Sequence, residues 1–310
     1  MKTSSKAIAI ALAAMVAALP PTPFAFAQEP AQAEAPAAAP QVPEGSVSGM
    51  GDINLYPRRI IIQGRQRTAQ VGLFNRTVNE GDYEIDIREM AMTPEGRLVA
   101  LEDADPAIAA RVKSAKDMIR WSPKRLSLTG NESQTIRLMA RPGADVAPGE
   151  YRAHFLAISR PDVTEGGTSI DEAVSGRQAT GIGVTIRPRF GISIPVIVRV
   201  GETTLDLAIE QPRLVDLPDG RRALALALTR SGTRSAYGDL QVFREGSGEP
   251  IAVVRGVGIY PEIERRTIVL PFEMAEDERP LAPGEPLKVV FIDDDFEPGA
   301  TLAEARFQAP

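Results

Sequence analysis

Between Ile182 and Val200 an apolar residue stands at every even position: Ile182, Val184, Ile186, Pro188, Phe190, Ile192, Ile194, Val196, Val198 and Val200. A period of two is the side-chain period of a β-strand, so one face of this stretch is built for burial. One strand rarely exceeds roughly 10 residues, and the stretch is therefore expected to end one domain and begin the next. Upstream the same period recurs in shorter pieces. Arg59-Ile60-Ile61-Ile62-Gln63 is followed by a turn signal at Gly64, and Gln70-Val71-Gly72-Leu73-Phe74 leads to Asn75 and the polar turn Asn79-Glu80-Gly81-Asp82. Tyr83, Ile85 and Ile87 then alternate with Glu84, Asp86 and Arg88. Short alternating runs punctuated by Gly, Pro and Asn indicate an all-β sandwich.

Further strands are expected at Gln134–Leu138 and Tyr151–Leu156, and downstream at Ala223–Thr229, Gly238–Arg244, Thr267–Phe272 and Leu287–Ile292. One segment breaks the period. Asp105 can cap a helix, Pro106 suits its first position, and Ile108, Val112 and Ala115 recur at helical spacing, which predicts a short surface helix over Asp105–Ile119. Residues 161–181 are polar and Gly-rich, a loop long enough to call for a functional explanation.

Composition excludes much chemistry. The 310 residues include 26 Gly, 26 Pro, one His, one Trp and no Cys, with 35 basic against 41 acidic residues. Without Cys there are no disulfides, thiolate metal sites or cysteine nucleophiles. One His rules out multi-His metal sites, and no basic block marks a nucleic-acid footprint. The 41 acidic residues leave a catalytic carboxylate pair open, since their separation is not legible in the sequence. Asp293-Asp294-Asp295 lacks the loop of a hard-cation site and reads as a solvated strand end. His154 lies in an alternating strand and reads as locally hydrogen-bonded, not as a lone base. Trp121 with Pro123 reads as core packing.

Lys2 and Lys6 precede an apolar run over Ala7–Leu19, and Ala25-Phe26-Ala27 forms a small-x-small site before Gln28. This is the three-part export signal, with cleavage expected after Ala27. The run is too short for the roughly 20 residues that span a bilayer. Removing Lys2 and Lys6 takes the formal charge from −6 to −8. Residues 28–47, mostly Ala, Pro, Gln and Glu, read as a disordered tether. The expected organisation is a signal peptide at 1–27, the tether at 28–47, one sandwich at 48–199 and a second at 200–310.

Several segments together carry a resemblance. They are Leu55-Tyr56-Pro57-Arg58-Arg59-Ile60-Ile61-Ile62, Val71-Gly72-Leu73-Phe74-Asn75-Arg76, Trp121-Ser122-Pro123-Lys124-Arg125-Leu126-Ser127-Leu128, Gln134–Leu138, Pro148–Phe155 and Gly181–Arg199. In order and spacing this layout resembles a divergent branch of the PapD-like periplasmic chaperones of the chaperone–usher pilus pathway. The resemblance covers most of residues 50–200. It implies two immunoglobulin-like sandwiches in an angled, boomerang-like arrangement. It also implies a non-enzymatic periplasmic chaperone, without cofactor or metal, that binds pilin-like subunits by donor-strand complementation and delivers them to an outer-membrane usher. Pilus assembly, fimbrium biogenesis and cell wall organization follow as its setting, with no nucleic acid and no embedding in a membrane. Capping of the free donor strand by a second copy is left open.

A donor strand needs apolar residues at alternate positions, which Ile182, Val184 and Ile186 meet, although the same three could line their own core. A register anchor is also needed, because a slip of one residue turns every donor side chain to the wrong face. The resemblance implies a basic pair gripping the subunit's C-terminal carboxylate. Arg59 aligns with the family's first-strand arginine. Arg189 is the expected second member, with Arg187 and Arg199 of the same parity as alternatives. The family's cleft lysine aligns near Gly191, which supplies no charge. The alternative reading is an exported structural or adhesive β-sandwich without chaperone activity. A carbohydrate-active sandwich should expose aromatic platforms, and aromatics are only 5% of the chain.

Overall fold

In a computed structural model, residues 47–48, 53–160, 189–218, 220–274 and 279–310 are described. In chain order the elements are β1 (Val47–Ser48), β2 (Ile53–Tyr56), β3 (Ile60–Gln63), β4 (Thr68–Asn75), β5 (Gly81–Arg88), β6 (Met90–Met92), β7 (Leu98–Ala100) and α1 (Pro106–Ala109). There follow β8 (Ile119–Ser122), β9 (Arg125–Leu128), β10 (Ser133–Ala140), β11 (Gly149–Arg160) and β12 (Gly191–Val200). The remainder are β13 (Leu205–Asp216), β14 (Arg222–Gly232), β15 (Ala236–Arg244), β16 (Pro250–Ile259), β17 (Arg265–Pro271), β18 (Pro286–Asp293) and β19 (Thr301–Gln308).

The first sandwich stacks a sheet of order β1-β2-β4-β10-β8 on one of order β3-β12-β11-β5-β9. Its chain changes sheets at Pro57-Arg58-Arg59, so that β3 runs parallel to β12 while every other pair in the two sheets is antiparallel. With β2 and β3 as strand A, this is the ABED-on-CFG order of an immunoglobulin-like sandwich. The second sandwich pairs β13-β14-β17 with β16-β15-β18-β19, the same plan with a shorter first sheet.

Alternation fills both cores. Tyr83, Ile85 and Ile87 of β5 and Ile192, Ile194, Val196 and Val198 of β12 enter the first core, together with Phe155, Leu73 and Ile136. Ile197 has the opposite parity and enters the second core, beside Leu226, Leu240, Val289 and Phe291. One strand thus serves two cores.

The expected helix over Asp105–Ile119 is a single turn. Asp105 caps it, its Oδ1 accepting the Ala107 N–H at 2.8 Å, but α1 ends at Ala109. The backbone then leaves the helix to pair with β11: the Arg152 N–H donates to the Lys113 carbonyl at 2.8 Å and the Ala115 N–H to the Arg152 carbonyl at 3.0 Å. The apolar residues also go to different places. Ile108 packs on the second core, whereas Ala115 and Ile119 lie in the first. A continuous helix could not deliver its stripe to both.

Candidate functional site

Two features stand out, a half-paired strand edge and a buried cluster of charge at the junction of the sandwiches. Along β12, β11 covers one edge over Gly191–Val200, while β3 covers the other only from Val196 to Arg199. Among the described residues no strand pairs with the outer edge of Gly191–Pro195. Its inward face is apolar, and half-exposed Phe190 stands at its start. Ile182, Val184 and Ile186 lie outside the described residues, as do Arg187, the 161–181 loop, the expected signal peptide and all of the expected tether except Val47.

The junction is built from four strand ends. Arg59 projects from the sheet-changing turn between β2 and β3. Arg199 is the penultimate residue of β12, and its cross-strand partner on β11 is Glu150. Asp295 comes from the loop between β18 and β19. Arg199 grips Asp295 with two bonds, Nη1 to Oδ1 at 3.0 Å and Nη2 to Oδ2 at 2.5 Å, and its Nε donates to Glu150 at 3.1 Å. Arg59 Nη2 donates to Asp295 Oδ2 at 2.8 Å and to Ser235 Oγ at 2.9 Å. Side-chain exposure is 7% for Arg59, 2% for Arg199 and 0% for both Asp295 and Glu150, so water does not screen these pairs. Burial alone would raise the Asp295 carboxyl, but Arg59 and Arg199 outweigh it and hold the group below the usual carboxylate range. Burial likewise works against the Arg199 charge, and Asp295 and Glu150 more than offset it.

A second cluster lies beside the first. Arg152 of β11 donates to Glu262 and, at 2.8 Å, to the Met90 carbonyl, and its guanidinium stacks 3.6 Å from the Tyr260 ring centre. Arg59 lies over Tyr237 at 4.6 Å and near Tyr260 at 5.7 Å. The hairpin of β6 and β7 reaches over to the second sandwich here. Met92 is buried in the second core and its N–H donates to Glu262 at 2.8 Å, while the Thr267 N–H of β17 donates to the Pro94 carbonyl at 2.8 Å.

The structure therefore brings together Arg59 and Arg199, not Arg59 and Arg189. Arg189 is exposed at the opposite end of β12, with Nη2 3.6 Å from Glu84, about 30 Å along the strand from Arg199. Shared parity sets a face but not a place along it, and only Arg199 lies beside β3, opposite Gln63. The acidic run is not a solvated strand end. Asp295 is the buried partner of two arginines, and Asp293 accepts the N–H groups of residues 295, 296 and 297. Nor is His154 locally hydrogen-bonded. It is fully buried opposite Pro195 and Arg88, neither ring nitrogen has a hydrogen-bond partner among the described residues, and burial with Arg152 and Arg59 nearby pushes its pKa down to about 3. Trp121 packs against the first core, its Nε1–H donating to the Ile85 carbonyl at 3.1 Å.

Glu150, Glu262 and Met92 carried no local sequence signal, and the signal at Asp295, its acidic run, pointed to solvent and not to a buried pair. Each is defined by a neighbour at least 49 positions away. Among the described residues no group of three His, Asp or Glu side chains could hold a metal ion, and no helix is long and apolar enough to cross a membrane.

No family model matches the chain, and no curated protein is similar to it. Solved structures to which it is similar include the YadV chaperone, at 14% identity and TM-score 0.41 over 83% of this chain and 100% of that one. Another is a Salmonella enterica complex of the SafA pilin with the SafB chaperone, at 14% identity and TM-score 0.40 over 84% and 98%. The Pseudomonas aeruginosa CupB2 chaperone is similar at 10% identity and TM-score 0.39 over 83% and 100%. At these values the likeness decides nothing about function.

Proposed function

We propose that this chain is an exported, non-enzymatic chaperone that holds a β-rich, pilin-like subunit by lending it a strand and passes it to an outer-membrane usher. The observation that carries the reading is the outer edge of β12 over Gly191–Pro195, with which no strand pairs among the described residues. An unpaired edge with an apolar inward face attracts another strand, and a subunit that lacks one strand has the complementary need. The lent segment would run through Ile182, Val184 and Ile186, whose alternation suits an apolar groove. Main-chain bonds would supply affinity and the alternate side chains the fit, so the binding needs neither metal nor nucleotide. Arg199 and Arg59 would hold the second sandwich behind that strand. One of the other sheet edges serves the role less well: β16 begins at Pro250 and carries Arg255 with a bulge, devices that discourage pairing.

The test is purification of the tagged, mature chain from its own host under mild conditions, beside a Val184→Asp variant. The expected result is a small, β-rich exported protein in near-equal amount with the parent, lost from the variant while its melting temperature stays unchanged. A partner-free monomer during surface-fibre assembly, or equal capture by Val184→Asp, would overturn the reading and favour a structural or adhesive sandwich.

A further inference from the structure

We propose that Pro195 is the stop that sets where a captured strand ends on this chain. Such a strand takes its main-chain bonds from Gly191 and Ser193 of β12 and leaves the sheet at Pro195, one residue before β3 begins. The inference rests on the strand-lending reading and deepens it, by naming the residues that seat the partner.

The direction of each backbone group follows from the ladder of β11 and β12. In an antiparallel pair, opposed residues alternate between those that exchange both bonds and those that turn both groups away. The Ser159 N–H donates to the Phe190 carbonyl at 2.8 Å. Arg152, opposite Ile197, gives its N–H to the Lys113 carbonyl, and its carbonyl accepts the Ala115 N–H, both away from β12. The residues bonded to β11 are therefore Phe190, Ile192, Ile194, Val196 and Val198. Gly191, Ser193, Pro195, Ile197 and Arg199 turn their groups to the other edge. β3 occupies that edge opposite residues 196–199. Upstream of it, and unpaired by any strand among the described residues, the edge presents the N–H and carbonyl of Gly191 and of Ser193. Pro195 follows, with a carbonyl but no N–H.

The proline stands at the end of this open stretch, not within it. A residue placed to repel strands would remove a donor from the middle, whereas Pro195 leaves two complete residues available and removes only the next donor. At that point β3 takes over the edge, because the chain turns between Tyr56 and Ile60 to start β3 opposite Val196. An N–H at position 195 would aim into the seam between β3 and a strand ending there, and proline leaves no donor to be orphaned. The seat is also clear of bulk, since Gly191 is exposed without a side chain and Ser193 is small. Main-chain pairing by itself is free to slip by two residues, which keeps every side chain on its face. A slip toward β3 meets the missing N–H, and a slip the other way gives up the bonds to Ser193.

A proline scan, read by melting and by capture, tests the seat. In the free chain Ser193→Pro removes an N–H that points to the open edge, so it should melt within about 2 °C of the parent. Ile194→Pro breaks a bond to β11 and should melt on the order of 10 °C lower. Gly191→Pro, at the exposed start of the edge, serves where Ser193→Pro does not fold. A melting loss from both edge variants as large as that of Ile194→Pro would overturn the assignment of the edge. In the mild purification from the host, the edge variants should hold on the order of tenfold less of the co-purifying subunit than the parent. Capture undiminished in them but lost in Val184→Asp would overturn the seat and leave strand lending standing. A parent that brings down no subunit would overturn both. Pro195→Val restores the missing donor and lets the captured strand gain one more bond. Exchange of the amide at position 195 should then slow about tenfold or more on complex formation. An amide there as fast in the complex as in the free variant would overturn the role of Pro195 as the stop.

Discussion

At the scale of single residues the junction is governed by desolvation. A buried ion pair gives little net stability when whole, but removing one partner leaves an uncompensated charge and costs roughly 3–5 kcal/mol. His154 is the exception within the cluster, buried without a hydrogen-bond partner among the described residues and kept neutral. Its folded pKa of about 3 lies below the ordinary 6.5, so the unfolded chain takes up the proton first. Stability from this group is therefore constant above about pH 6.5 and falls as pH drops toward 3, by about 1.4 kcal/mol per unit. His154→Leu should remove that slope. Relative to the parent, the variant should gain about 2 kcal/mol between pH 8 and pH 5, measured by urea denaturation at the two values. Equal differences at both would show that the ring is not held neutral. The sequence placed His154 in a strand correctly but could not say what would face it, because Arg59, Arg88 and Pro195 come from other elements and only Arg152 shares its strand.

At the scale of elements, period two was legible wherever a strand alternates cleanly, as in β5, β12 and β18. Strands with interruptions were not. β13 carries Pro212 beside Gln211 at φ +50° with a register shift between Glu210 and Arg213, and β16 contains Gly256 at φ +73°. Bulges of this kind break the alternation that identifies a strand. The hairpin of β6 and β7 was illegible for another reason, since its strands have only three residues each and are held from outside by Glu262 and Thr267. Met92→Ala should leave a void in the second core and cost about 2–5 kcal/mol. Hydrogen exchange at the Thr267 amide, which donates to Pro94, should quicken in that variant more than exchange in β10. Equal protection at Thr267 in variant and parent would mean that the hairpin does not need Met92 to stay docked.

At the scale of the whole molecule the two sandwiches share material. Ile197 of β12 and Met92 of the hairpin belong to the second core, and the Arg199–Asp295 and Arg152–Glu262 pairs cross between the sandwiches. Unfolding should accordingly be one cooperative transition, with calorimetric and van't Hoff enthalpies in a ratio near one. Two resolved transitions would show that the sandwiches separate first. The all-β class, the inward faces of the regular strands and the exclusion of cysteine and multi-histidine chemistry were legible along the chain, because each depends on residue type and on period. The family resemblance singled out Arg59. The partner of Arg59 was decided only by tertiary structure: parity left Arg187, Arg189 and Arg199 equivalent, and the packing of β12 against β3 chose Arg199. The same packing turned an acidic run that reads as solvated into the buried counter-charge of two arginines. Period along a chain tells which face a side chain takes, but a charge is satisfied by whatever the fold carries to it, and that partner arrives from far away in sequence.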